Sequence, residues 1–423
     1  MQITDTKYRN YVQILKEELV PAMGCTEPAA IAYAAALARK ELGCLPDRVL
    51  IEVSGNIVKN VKSVVVPNTG GLKGIEAAAA AGIVAGDPGK KLALLSAVSG
   101  EQKKEIEAYL KSTQFGIRMA DTGRIFDIIV TCFSGDSSAK IQIADSHTNV
   151  VLIEKNGKVI YSGGGKGEKR ETDRSLLSVA DIIDFADILR IEDVRETIER
   201  QIDFNSAISA EGLRGHYGAN IGRVLRAGYG SDIKLRAKAA AAAGSDARMS
   251  GCELPVIIVS GSGNQGMTAS LPVIEYAKEL KTDRECLIRA LAAADLITIH
   301  LKTGIGRLSA YCGVVSAGAG AGAGIAYLHG GRMEEIAHTI VNALAIDSGM
   351  VCDGAKPSCA AKIATAVDAG IMGYEMYKNG QQFYGGDGII AKGVENTIKN
   401  INRLGKEGMK ETDKEIIRIM LNE

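Results

Sequence analysis

The second half of the chain is a succession of helical patterns rich in alanine and glycine. Helices of this composition pack closely because little side-chain bulk separates their backbones. The 423 residues include 49 glycines, no tryptophan and 4% aromatic residues, so alanine, isoleucine, leucine and valine must build most of the core. The pattern predicts an all-helical domain with helices over 176–190, 192–212, 218–243, 270–280, 283–300, 332–347, 359–378 and 391–402.

The first part of the chain mixes helical and strand-like segments. Apolar residues at helical spacing predict helices over 7–20 and 28–42, and an alanine-rich helix over 72–85. Runs of β-branched residues predict strands at 49–53, 57–66, 125–131, 140–144, 150–154 and 158–161. The fold class we expect is α+β, a mixed α/β domain joined to a mostly helical domain.

We predict three parts in the chain. Residues 1–45 hold N-terminal helices that pack on the helical domain, 46–165 form the mixed α/β domain, and 166–423 form the helical domain. The glycine-rich, charged segment 163–170 is the predicted linker between the last two.

Charge and composition exclude several classes of protein. The 50 Lys and Arg residues balance the 50 Asp and Glu residues, which argues against a nucleic-acid partner. The N-terminus is polar, and no run of about 18 uncharged apolar residues occurs, so we expect neither a signal peptide nor a membrane partner. Eight cysteines in a chain of this length do not form a disulfide scaffold, so we expect a cytoplasmic protein with reduced thiols. A homo-oligomer is one possibility.

Three cysteines form the strongest chemical pattern. Cys352 and Cys359 flank a turning loop that contains Gly354 and Pro357, and Cys312 opens the Gly/Ala-rich segment. Three thiolates without a partnering histidine at short spacing fit an iron–sulfur cluster better than zinc, which usually takes a fourth Cys or His. Buried inert thiols are the alternative interpretation, since free cysteine is among the most buried residue types.

Cys25 stands apart, in a turn rich in glycine and proline at the start of the second predicted helix. A helix N-terminus lowers the pKa of a thiol, so Cys25 is a candidate base, nucleophile or further metal ligand. A small apolar residue in a loop is the alternative. We expect core positions for the other cysteines, which are Cys44, Cys132, Cys252 and Cys286.

Three glycine-rich loops are candidates for binding an anion such as a carboxylate through backbone N–H groups. They lie at 54–56, 67–74 and 260–266. Tight turns are the alternative for each loop. The GSGNQG loop also resembles the carboxylate loops of pyridoxal-phosphate lyases, although no lysine stands in a setting typical of a Schiff base. His147, in a polar segment after a strand, is a candidate acid, base or carboxylate ligand. The candidate substrate-binding residues are Ser54, Asn56, Asn68, Thr69, His147, Ser262 and Asn264.

Six segments resemble motifs of the cysteine desulfidase family, a relative of the iron–sulfur-dependent L-serine dehydratases: PAMGCTEP, SGNIVKN, PNTGGLKG, ADSHTNVV, SGSGNQG and VCDGAKPSCAAKIA. The resemblance runs over essentially the whole chain. It implies a 4Fe–4S enzyme that converts an amino-acid substrate, L-cysteine, into pyruvate, ammonia and sulfide without pyridoxal phosphate. It also implies that Cys312, Cys352 and Cys359 hold the cluster and that Cys25 accepts the substrate proton.

The implied chemistry is an α,β-elimination. A base removes the Cα proton, and an open iron acts as the Lewis acid that assists the leaving group. The alternatives are an L-serine dehydratase of the same mechanism, a pyridoxal-phosphate lyase, and a non-catalytic metal-binding sensor.

Overall fold

The computed structural model describes residues 1–163, 172–230, 232–306 and 308–421, and all but the first residue of the predicted linker at 163–170 lies outside them. The protein is α+β, as predicted. Its strands are β1 (Pro21–Met23), β2 (Arg48–Val53), β3 (Gln114–Met119), β4 (Asp127–Ser134), β5 (Ser137–Ala144), β6 (Val150–Lys155), β7 (Lys158–Ser162) and β8 (Pro255–Ile257).

Helices make up most of the described chain. They are α1 (Thr6–Glu18), α2 (Thr26–Leu42), α3 (Gly55–Val61), α4 (Gly74–Ala85), α5 (Gly100–Ser112), α6 (Val179–Ile188), α7 (Arg195–Arg214), α8 (Ile221–Tyr229), α9 (Ile233–Met249), α10 (Gly263–Leu280), α11 (Arg284–Thr303), α12 (Gly313–Leu328), α13 (Met333–Ile346), α14 (Cys359–Lys378), α15 (Val394–Arg403) and α16 (Lys410–Leu421). No helix among the described residues is long and apolar enough to cross a membrane.

Six strands form one sheet in the order β3-β2-β4-β5-β6-β7. Strands β2 and β3 run parallel and the other neighbours antiparallel. Helix α2 packs on β4 and β5 and on α4, and together they enclose one apolar core. The two remaining strands, β1 and β8, pair only with each other, away from this sheet.

A second, larger core lies among the helices from α6 onward. Helix α1 contributes its buried face, including Tyr11 and Leu15, to this helical core, whereas α2 contributes to the sheet core. The two N-terminal helices therefore belong to different cores. The divisions of the chain at residues 45 and 165 stay predictions.

Glycine brings α12 and α14 into backbone contact. A Cβ atom at Gly318 would lie 2.2 Å from the carbonyl oxygen of Ala366, and one at Gly370 would lie 2.2 Å from that of Gly318. Both distances are below any real Cβ contact, so only glycine fits. One turn further along, a Cβ atom at Gly322 would lie 2.6 Å from the carbonyl oxygen of Gly370. Gly318 and Gly322 thus meet Ala366 and Gly370 in the same chain direction, so the two helices are parallel. Their N-termini, at Cys312 and Cys359, consequently lie at the same end of the helical layer.

Three local predictions are wrong. The segment predicted as a strand at 57–66 begins as helix α3, because burial of Ile57 and Val61 in the sheet core outweighs their strand propensity. The helix predicted over 218–243 is two helices that break near Gly230. Cys44 is exposed just after the end of α2, rather than in the core. Cys286 is partly buried.

Candidate active site

Four cysteines from four separate segments line one cavity of about 120 Å³. They are Cys25, Cys312, Cys352 and Cys359. The cavity has room for several water molecules or for a small amino acid. All eight cysteines of the chain are free thiols.

The pairing of β1 with β8 forms one wall of this cavity. Each strand leads into a helix, with Cys25 as the N-cap residue of α2 and Ser262 as that of α10. The turn that carries Cys25 also packs tightly on the loop that follows α3. Gly24 has a φ of +60°, and a Cβ atom there would lie 2.3 Å from Cγ of Pro67. The antiparallel pair of β1 and β8 thus brings Cys25 beside the GSGNQG loop.

A single bridge between Tyr311 and Val351 supports a second wall. The amide of Cys312 donates to the carbonyl of Met350 at 3.1 Å, and the amide of Cys352 donates to the carbonyl of Ala310 at 2.7 Å. These bonds hold Cys312 beside Cys352.

The third thiol of this wall, Cys359, is the first residue of α14. It accepts a hydrogen bond from the amide of Lys356 at 3.4 Å. Gly354 lets this loop approach α3, because a Cβ atom there would lie 2.3 Å from the carbonyl oxygen of Lys59.

Positive charge surrounds these three thiols. The hydrogen bond from Cys312 and then, against the cost of burial, the charge of Lys59 lower the pKa of Cys352 to about 6. Burial lowers the pKa of the Lys302 ammonium to about 8. Burial raises the pKa of Cys359. The lowered pKa favours the thiolate form of Cys352, which lies on this wall beside the buried Lys59 and Lys302.

The donor set fits a cluster better than a single ion. No three His, Cys, Asp or Glu side chains in the described part of the chain converge as ligands of one metal ion. An iron–sulfur cluster instead binds its cysteine thiolates through different irons, so its ligands must share one cavity without converging on a single point. Cys312, Cys352 and Cys359 meet that requirement, and the nearby lysines offset the negative charge that thiolate ligands bring.

Cys25 differs from the expectation of an activated thiol. Its Sγ donates a hydrogen bond to Oε2 of Glu27 at 2.9 Å. Burial, followed by the charge of Glu27, raises the pKa of Cys25 well above its ordinary value, against a smaller effect of Arg248. Desolvation and an adjacent carboxylate therefore outweigh the helix N-terminus, and Cys25 is a thiol at neutral pH.

Glu27 is the centre of a buried polar network. Its carboxylate accepts hydrogen bonds from Asn60 at 3.0 Å and from the hydroxyl of Thr26 at 3.1 Å. Nε2 of His147 lies 4.0 Å from Oε1 of Glu27, within ion-pair range, and has no hydrogen-bond partner. Burial opposes ionisation of Glu27, but the His147 ring and the Cys25 thiol outweigh it and lower its pKa to about 2.

The structure separates the predicted substrate-binding residues into two groups. His147, Ser262 and Asn264 line the cavity. The others do not. Ser54 and Asn56 line a neighbouring cavity of about 1060 Å³, between the sheet and α16.

Asn68 and Thr69 lie outside both cavities. Their side chains donate to the carbonyl oxygens of Leu95 and Val66, each at 2.8 Å. The PNTGG turn thus uses its polar side chains to hold its own backbone and that of the following segment.

Sequence analysis missed the partly buried Lys362 and four buried charged groups that line the cavity: Glu27, Lys59, Arg248 and Lys302. Each of these four is less than one-tenth exposed. The sequence does not single out the last two, because α9 and α11 also carry other charged residues, including Asp246 and Asp295. A charge in an apolar helix is costly unless it serves a site or has a partner.

The chain is similar to several known proteins. The family described as "Serine dehydratase alpha chain" matches residues 89–418, a span that holds Cys312, Cys352 and Cys359 but not Cys25. A UPF0597 protein of Desulfitobacterium hafniense is 66% identical over 100% of this chain and 99% of its own length. A UPF0597 protein of Lachnoclostridium phytofermentans is 53% identical over 98% of this chain and 100% of its own. One from Treponema denticola is 45% identical over the full length of both. The chain belongs to the serine dehydratase alpha chain family.

Proposed function

We propose that this member of the iron–sulfur serine dehydratase family eliminates the β-substituent of L-cysteine, with release of sulfide, ammonia and pyruvate. The observation that carries the proposal is the convergence of Cys25, Cys312, Cys352 and Cys359 on one cavity of amino-acid size. Three of the thiols share one electropositive wall, and the fourth stands apart beside a carboxylate. This division matches the two tasks of an elimination, assistance to the leaving group and removal of a proton.

Cys312, Cys352 and Cys359 would hold a 4Fe–4S cluster. When bound, such a cluster supplies a Lewis-acidic iron for the departing sulfur. The protein contributes the charge balance of that wall. Lys59 and Lys302 are both buried there, and Lys59 also forms an ion pair with Asp413 of α16 at 2.5 Å.

Cys25 is the proposed acceptor of the Cα proton. In its thiolate form it takes the proton, the C–H electron pair becomes the Cα=Cβ bond, and the Cβ–S bond breaks with its electrons leaving on sulfur. The aminoacrylate that remains tautomerises and hydrolyses to pyruvate and ammonia in water. The raised pKa makes the thiolate scarce at neutral pH but strongly basic once formed.

Glu27 would neutralise the substrate ammonium. It is the one carboxylate of the described residues that lines the cavity, and its low pKa keeps it ionised across the physiological range. Asn60 and Thr26 fix its orientation through the hydrogen bonds described above. An ammonium held there would place Cα next to the Cys25 sulfur, because both groups belong to the same turn.

L-Serine is the second candidate substrate, favoured by the description of the matching family. The same groups would eliminate water from L-serine, with hydroxide leaving toward the wall formed by Cys312, Cys352 and Cys359.

One experiment tests both substrates. The protein is reconstituted anaerobically with iron and sulfide, desalted, and supplied with L-cysteine or L-serine while sulfide and pyruvate are measured. We expect pyruvate from both and higher kcat/KM for L-cysteine. Higher kcat/KM for L-serine would reassign the substrate. Bound iron with no product from either amino acid would overturn the proposal in favour of a metal-binding sensor.

A further inference from the structure

Arg248 is a buried cation without a carboxylate partner. It lies in the last turn of α9, is 5% exposed and lines the cavity. Its Nη1 donates to Oδ1 of Asn264 at 3.1 Å, and its Nε is buried with no hydrogen-bond partner. No ion pair found among the described residues includes it. A buried guanidinium in this state is costly to fold, and an anion in the cavity would remove that cost.

The guanidinium lies against the N-terminus of α10. A Cβ atom at Gly263 would be 2.5 Å from Nε of Arg248 and 2.9 Å from its Cζ. Glycine is therefore needed there for the side chain to reach this position. The N-terminus of this 18-residue helix attracts anions, so two independent sources of positive potential meet at one place.

Asn264 is oriented as a donor toward the same place. Its Oδ1 accepts from Arg248 and, at 3.3 Å, from the hydroxyl of Ser245. Its amide nitrogen contacts only the sulfur of Met249, at 3.7 Å, which is a weak acceptor. The two contacts to Oδ1 fix the orientation of the amide, and the nitrogen remains available for an oxygen ligand.

The proposed ammonium site at Glu27 lies close to the N-terminus of α10. The hydroxyl of Thr26, next to Glu27, contacts the carbonyl of Gly261 at 3.5 Å, so the acidic turn adjoins the loop that leads into α10. A cation site and an anion site thus lie side by side, as the two charged ends of an α-amino acid require.

We propose that Arg248, the Asn264 amide and the N-terminus of α10 form the binding site for the α-carboxylate of the substrate. This inference rests on the proposed function and adds its specificity, because it limits the substrates to amino acids with a free carboxylate. Arginine suits the task because its planar donors bind a carboxylate through two parallel hydrogen bonds. An amino-acid amide keeps the ammonium but loses the anion, and it should bind poorly.

The test is the binding of L-alanine and L-alaninamide to the reconstituted holoenzyme, measured by titration calorimetry. L-Alanine carries no leaving group, so the measurement does not depend on turnover. Wild-type protein should prefer L-alanine by about 10²-fold, and in Arg248→Met this preference should fall to near one. Arg248→Lys should retain an intermediate preference, since it keeps the charge without the planar pair of donors.

Two controls separate this role from a structural one. Arg236→Met alters another arginine of α9 that pairs with Glu279 at the surface, and it should leave both affinities unchanged. Far-UV circular dichroism establishes that each variant is folded, and if Arg248→Met fails to fold, the folded Arg248→Lys protein carries the test.

A folded Arg248 variant with the wild-type preference for L-alanine over its amide would overturn the inference. Failure of the proposed function looks different. In that case neither L-cysteine nor L-serine is converted, while the carboxylate preference and its dependence on Arg248 are still measurable.

Discussion

Cys25 and Cys352 line the same cavity, yet their surroundings act on them in opposite directions. Glu27 accepts a hydrogen bond from Cys25, and burial beside that carboxylate raises the pKa of the thiol. Cys352 accepts a hydrogen bond from Cys312 near Lys59 and Lys302, and its pKa falls to about 6. The surroundings of Cys25 therefore favour the thiol, whereas those of Cys352 favour the thiolate.

The difference shows that neighbouring charges and contacts outweigh the position of a cysteine on a helix. Cys25, Cys312 and Cys359 all stand at helix N-termini, and the pKa of each is raised. Cys352 stands at no helix terminus and is the one whose pKa is lowered. The helix dipole contributes at most about 2 kcal/mol, less than the desolvation of a fully buried thiolate.

The largest expected effect comes from removing one thiol from the wall formed by Cys312, Cys352 and Cys359. Cys352→Ala should lose both the broad visible absorbance of the reconstituted cluster and all measurable elimination, because the cluster would lose one of three ligands. Iron content and absorbance after anaerobic reconstitution are the measurements. Cys286→Ala, a thiol outside the cavity, is the matched control and should keep both properties. Full iron content in Cys352→Ala would remove this cysteine from the ligand set.

Removing the Cys25 thiol should separate the role of proton acceptor from the role of cluster ligand. Cys25→Ala should keep the iron content and visible absorbance but lose about 10²–10⁴-fold in kcat, the usual contribution of a general base. Absorbance spectra and pyruvate release measure the two properties in one preparation. Loss of the cluster in Cys25→Ala would show that this residue is a ligand, and the contrast between the two walls would then fail.

The next largest effect should come from disturbing the packing of α12 against α14, the helices that begin at Cys312 and Cys359. Gly370→Ala places a Cβ atom 2.2 Å from the carbonyl oxygen of Gly318 and should force α12 and α14 apart. Overpacking of this kind costs about 1–3 kcal/mol in the free energy of unfolding, measured by urea denaturation. Gly100→Ala is the control, because a Cβ atom there meets nothing within 4 Å. Equal stability of both variants would refute the account of the glycine pattern.

The smallest effect concerns the proton on Cys25. A thiol reacts as its thiolate, so alkylation of Cys25 should accelerate about tenfold per pH unit up to its raised pKa. Glu27→Gln removes the adjacent negative charge and should move this profile toward lower pH. Mass spectrometry of the Cys25 peptide after timed alkylation gives the rates.

The control for this titration is Glu253→Gln, an exposed carboxylate paired with Lys103. It should leave the profile of Cys25 unchanged. A shift of the Glu27→Gln profile toward higher pH would contradict the assigned cause.

Local patterns predicted much of the fold. The α+β class, the helical second half and most of the helices followed from apolar periodicity, which reports burial of one face. The strand predicted at 57–66 was wrong because Ile57 and Val61 favour strands intrinsically but are buried as part of a helix. Propensity is a weak prior where tertiary burial decides.

The site was predictable where residue type alone indicates chemistry. Cys25, Cys312, Cys352, His147 and Asn264 all line the cavity. Asn68 and Asn56 carry the same functional group as Asn264, but the fold places them elsewhere. Nothing in a glycine-rich loop distinguishes a side chain that holds its own turn from one that faces a ligand.

The sequence by itself determined which residues could do the chemistry, because a thiol keeps its ligand and acid–base properties in any context. It did not predict helix α12, because the glycines that alternate with alanine from Ala317 to Gly324 have low helix propensity. The tertiary structure decided which thiol holds a proton. That outcome depends on Glu27, Lys59 and Lys302, which lie far apart in the chain and act on the thiols through burial and short distances. Electrostatic energy depends on separation in space, and only the folded chain sets those separations.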